Sequence, residues 1–124
     1  MKKRAFLFGV LMLASPWSLG AGEKLVIQVS PAMAFAPANL RVRTMIEADV
    51  ENRSVEVVAE SEDFYRSSEV QLDGDRAPRT NVFEFRSLPP GAYDVTVKLL
   101  NASGRTRAFA RSRISVMPSG SGDR

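Results

Sequence analysis

Cysteine and histidine are both absent from the 124-residue chain, and most of the chemistry open to a small protein goes with them. No thiol nucleophile, His-based triad, Cys/His zinc site, His-ligated haem or disulfide framework can be assembled. The one tryptophan, Trp17, lies close to the N-terminus, so the body of the chain has no Trp for its core. The uncharged apolar run from Ala5 to Ala14 is ten residues long, too short to cross a bilayer of roughly 30 Å as a helix.

What that run does fit is a leader. Lys2, Lys3 and Arg4 precede it, and a segment of small and polar residues from Ser15 to Gly22 follows. Charged, apolar and cleavage regions in that order describe a secretory signal peptide over residues 1–21, cut near residues 20–22. Its removal takes away three basic and no acidic residues, leaving 14 of each in the mature chain. The excess of positive charge in the whole sequence therefore belongs to the leader, and the balanced remainder excludes a polybasic nucleic-acid or membrane-surface protein. With no Cys to acylate, a soluble periplasmic or secreted protein is expected. Its core must hold about 100 residues together without disulfides.

From residue 24 onward apolar residues recur with a period of two, and no helical stripe is sustained. Strands are expected over residues 25–30, 40–48, 55–61, 68–72, 82–86, 93–100 and 105–116. Leu40, Val42, Thr44 and Ile46 would share one face of the second, and Tyr93, Val95, Val97 and Leu99 one face of the sixth. The proline-bounded segment 31–37 reads as a loop or a broken edge strand, and 118–124 as a disordered Ser/Gly tail. Seven short strands with turn signals every eight to twelve residues or so describe an all-β, antiparallel two-sheet immunoglobulin-like sandwich over residues 22–117.

Leu88-Pro89-Pro90-Gly91-Ala92-Tyr93 leading into Asp94-Val95-Thr96-Val97, with Ser30-Pro31-Ala32 and Ala36-Pro37-Ala38-Asn39-Leu40 upstream, resembles exported bacterial immunoglobulin-like and fibronectin type III-like domains. The resemblance covers roughly residues 24–117 and implies a fold, not an activity. It also implies that the Tyr93 ring is core and its hydroxyl bonded to nearby backbone. The same opening and turn are similar to those of periplasmic copper carriers, which bind metal through His. The absence of His from this chain limits that likeness to the fold.

The most distinctive pattern is Arg105, Arg107, Arg111 and Arg113 around Phe109. The two-residue period places all five on the outward face of the last strand. Guanidinium forks beside an exposed aromatic suit an anionic partner, while cross-strand pairing with Asp94, Glu56 and Glu60 gives the same row a purely structural use. Met33, Phe35, Phe64 and Tyr65 are candidate contacts at loops, or caps that close the core. Carboxylates at Glu60, Glu62, Asp63, Asp73 and Asp75 are hard oxygen ligands of the kind that hold calcium, but Asp73-Gly74-Asp75 lacks the spacing of a calcium loop and reads first as a turn. A small sandwich offers no cleft for acid–base work. The Asn52 and Asn101 sequons read as turns. The sequence thus points to a non-catalytic module without metal or cofactor. It would recognise an envelope or extracellular protein or an anionic glycan, or alternatively assemble through an edge strand.

Overall fold

The structure is a computed structural model that describes residues 24–119. The expected signal peptide and most of the expected tail lie outside the described residues. Where one side chain in two is apolar, the chain is extended and turns that side inward. The strands are β1 (Leu25–Ser30), β2 (Met33–Phe35), β3 (Ala38–Ile46), β4 (Ser54–Glu60), β5 (Tyr65–Gln71), β6 (Thr80–Leu88), β7 (Gly91–Leu100) and β8 (Thr106–Met117). A single 3-10 turn, Gly74–Arg76, links β5 to β6.

Two sheets form, one in the order β1-β3-β6 and the other β2-β8-β7-β4-β5. Every pairing is antiparallel except that of β2 with β8. This is the strand arrangement of an immunoglobulin-like sandwich. Leu40, Val42, Phe83 and Phe85 of the smaller sheet face Val55, Val57, Ala59, Tyr93, Val95, Val97 and Leu99 of the larger, all buried. Each such side chain contributes on the order of 2 kcal/mol by leaving water, which is how the fold stands without a disulfide. Thr44, buried among them, donates its hydroxyl to the Asn81 carbonyl at 3.2 Å.

The described residues form eight strands where seven were expected. The additional one is β2, inside the proline-bounded segment. The Ala36 amide donates to the Met117 carbonyl at 2.8 Å and the Ser115 amide to Ala32 at 3.0 Å, so the segment is fastened to β8 at both ends. The fourth expected strand, now β5, starts at Tyr65 rather than 68.

The Tyr93 hydroxyl donates to the Pro89 carbonyl at 2.7 Å, the backbone bond the sequence resemblance implied. Burial pushes the phenol above its ordinary value, while the Ser61 hydroxyl and the Arg66 charge pull the other way. The Phe64 ring meets Tyr93 edge-on at 6.2 Å, and the Arg66 guanidinium lies 5.1 Å over Phe64. Arg66 then donates to the Arg86 carbonyl at 3.0 Å, bridging β5 to β6 along the open side of the sandwich.

Candidate functional site

The expected arginine row depends on an unbroken two-residue period along β8, and the period breaks. Leu99 pairs with Ala108 but Leu100 pairs with Thr106, so Arg107 is the extra residue of a β-bulge, a device that re-aims a side chain. Its guanidinium turns to the end of the sandwich, donating to Asn52 Oδ1 at 2.6 Å and Asp49 Oδ2 at 3.1 Å. Only 15% of that side chain is exposed. Asn52 is fully buried and its amide donates to the Glu47 carbonyl at 3.0 Å. The Glu51 amide and the Arg107 charge together hold the Asp49 carboxyl below the usual range. Arg107 is therefore a clasp on the β3–β4 loop and leaves the proposed row.

Arg105 falls before β8, its amide donating at 2.9 Å to the Asn101 side chain that organises the β7–β8 hairpin. Phe109, Arg111 and Arg113 do face outward, opposite Lys98, Thr96 and Asp94 on β7. Arg113 bonds Asp94 at 3.1 Å, as cross-strand pairing anticipated, whereas Glu56 and Glu60 form no ion pair among the described residues. Arg111 is exposed and likewise makes no ion pair there.

The remaining candidates divide. Phe64 closes the core against Tyr93, as described above. Tyr65 is exposed at the opposite edge of the same sheet, beside Glu60. Met33 and Phe35 sit on β2 opposite Ser115 and Met117, while Ala34 between them pairs with Val116 and packs on the core. That fixes the facing of β2. Met33 and Phe35 are 63% and 68% exposed, Met117 beside them 40% and Phe109 further along β8 54%. An outward strip thus runs from Phe109 through Arg111, Arg113 and Ser115 to Met117, with Met33 and Phe35 alongside its far end.

Met117 was absent from the sequence-based candidates. The signal was present, since it is one step further along the parity of Arg113 and Ser115. The carboxylates do not converge: among the described residues no group of three or more His, Cys, Asp or Glu is placed to hold a metal ion. Asp73 and Asp75 flank Gly74, which opens the 3-10 turn and whose φ of +54° and approach to Val50 and Arg53 make a side chain there strained. A shallow concavity of about 360 Å³ opens on the other sheet, lined by Gln28, Ser30, Arg41, Arg43, Thr80 and Val82. It contains none of the candidates. No helix among the described residues is long and apolar enough to cross a membrane.

No protein-family model matches the chain, and no curated protein does. Solved structures do. A variant of the superoxide reductase (neelaredoxin) of Ignicoccus hospitalis is similar with a TM-score of 0.57 and 16% identity, over 81% of this chain and 85% of that one. A second variant of that protein aligns over 96% of this chain and all of its own, at 15% identity and a TM-score of 0.53. A family 76 glycoside hydrolase from a bovine Bacteroides thetaiotaomicron strain is similar at 14% identity and a TM-score of 0.53, over 74% of this chain but 20% of the enzyme. At such identities the likeness is one of fold.

Proposed function

We propose that this chain is an exported, non-catalytic binding module of the bacterial fibronectin type III-like kind, and that it recognises an envelope or extracellular protein. The observation that carries the reading is the cluster of Met33, Phe35 and Met117, three large apolar side chains exposed together at the β2 edge. Exposed side chains of this kind in a group mark contact surfaces, and Met and aromatic residues with Arg nearby are the composition enriched there. The arginine row supports an anionic glycan less well, because Arg107 is committed to Asp49 and Asn52, and Arg113 to Asp94. The signal-peptide pattern of residues 1–21 supports export to the periplasm or beyond.

The test is capture from an envelope extract of the source organism, with wild-type protein and a Met33→Ser/Phe35→Ser variant as baits. A protein retained by the wild type and lost with the variant supports the reading. Equal capture by both baits, or no capture by either, overturns it.

A further inference from the structure

Along the outward face of the five-stranded sheet, the charges other than Asp94 are sorted by strand. Arg111 and Arg113 stand on β8 and Lys98 on β7, while Glu56 and Glu60 stand on β4 and Glu69 on β5. The register aligns them in rows. One reads Phe109, Lys98, Glu56, Glu69; the next Arg111, Thr96, Val58, Ser67; the third Arg113, Asp94, Glu60, Tyr65. Lys98 and Glu56 are direct register partners, yet Lys98, Arg111, Glu56, Glu60 and Glu69 form no ion pair among the described residues. Apart from Asp94, which pairs with Arg113, one half of the face is basic and the other acidic, and Lys98, Arg111, Glu56, Glu60 and Glu69 leave their complementarity unused within the molecule.

We infer that a second copy of this chain docks face to face on this sheet, about a two-fold axis parallel to the strands between β7 and β4. Such an interface is isologous, each surface meeting its own complement. The rotation sets β8 over the partner's β5 and β7 over the partner's β4. It keeps each row in place while reversing its order. Lys98 then faces the partner's Glu56, Phe109 and Arg111 lie by the partner's Glu69, and Arg113 stands over the ring of the partner's Tyr65, a cation–π geometry. Thr96 and Val58 meet at the axis. Asp94, which faces the partner's Glu60, already carries Arg113.

Four strands spaced about 4.8 Å and seven residues at about 3.3 Å make a patch of roughly 19 by 23 Å. At about 440 Å² per copy this lies below the range of stable specific interfaces, so the dimer is weak and in exchange with monomer. Its charged contacts make it salt-dependent. The β2 edge with Met33, Phe35 and Met117 lies outside the overlap and stays available to the partner proposed above, so the two readings fail separately.

The experiment is sedimentation equilibrium of the protein recovered from cells expressing the whole chain, from about 5 to about 500 μM, in low and high salt. Two charge-reversed variants, Lys98→Glu/Arg111→Glu and Glu56→Lys/Glu69→Arg, are run alone and mixed, with circular dichroism confirming that each is folded. The expected result is a mass rising with concentration towards twice that of the monomer, falling back in high salt. Each variant alone stays monomeric, and their equimolar mixture dimerises again. A wild-type mass that stays monomeric throughout overturns the inference. So does association that survives both reversals, or a mixture that fails to dimerise. The Met33→Ser/Phe35→Ser variant dimerises as the wild type does.

Discussion

Asn52 is the residue on which one end of the sandwich turns. Fully buried, it gives its amide to Glu47 and takes the Arg107 guanidinium on its oxygen. Asn52→Ala leaves the Glu47 carbonyl without that donor and the largely buried Arg107 guanidinium with Asp49 alone, at a cost of about 2 kcal/mol. That corresponds to a Tm lower by roughly 10 °C for a domain of this size, read by calorimetry. Arg107→Ala lowers Tm in the same direction. A charge reversal at Arg107 aimed at ligand binding would therefore report on folding instead. Tyr93 anchors the opposite link. Tyr93→Phe removes the bond to Pro89 and costs about 1 kcal/mol. Because burial raises this phenol above its ordinary value of 10.0, its contribution is intact below that pH and lost as pH rises through the folded-state value. Chemical denaturation across the alkaline range should show a decline in the wild type that is reduced in Tyr93→Phe. Equal alkaline declines would remove Tyr93 as the cause.

At the scale of the element, the two-residue period was enough on β3 and β7, each of which buries one whole face. Leu40, Val42, Thr44 and Ile46 on β3, and Tyr93, Val95, Val97 and Leu99 on β7, all face the core as the alternation required. It failed where burial does not impose it. β5 is exposed along nearly its whole length, so Tyr65 and Arg66 carry no mark of a strand. β2 is three residues long, and its pairing with β8 is decided by tertiary contact. The bulge at Arg107 was hidden for another reason. How many residues of β8 oppose β7 is set by hairpin pairing, and the spacing of arginines says nothing of it. The candidate site was legible accordingly: Phe109, Arg111, Arg113, Met33 and Phe35 were named from the sequence, while Arg107 and Arg105 left the row and Met117 joined the apolar cluster. The facing of β2 carries its own prediction. Met33→Ser/Phe35→Ser alters only solvent-exposed side chains and leaves stability within about 0.5 kcal/mol. Ala34→Asp, which places a carboxylate against the core, lowers Tm markedly.

At the scale of the whole molecule, the 14 basic and 14 acidic residues of positions 22–124 leave little net repulsion at neutral pH. Acid breaks that balance through particular groups. Asp49 is held below its ordinary value of 3.8 by the Glu51 amide and Arg107, and Glu84 below 4.5 by Arg41 and then Arg86. Both contribute stability that is present above those ordinary values and is lost as pH falls through the depressed folded-state values. Thermal unfolding should vary little between about pH 5 and 8 and decline below about pH 4, and Arg41→Gln should reduce that decline. A sandwich held by its core leaves an apolar edge exposed at β2, and we propose that this edge meets a partner protein. The most direct test of this last claim is calorimetric titration of the captured partner with wild type and with Met33→Ser/Phe35→Ser, in low and high salt. The account predicts a negative heat-capacity change from apolar burial, little change with salt, and at least about tenfold weaker binding by the variant. Binding that the variant retains in full and high salt abolishes would contradict it.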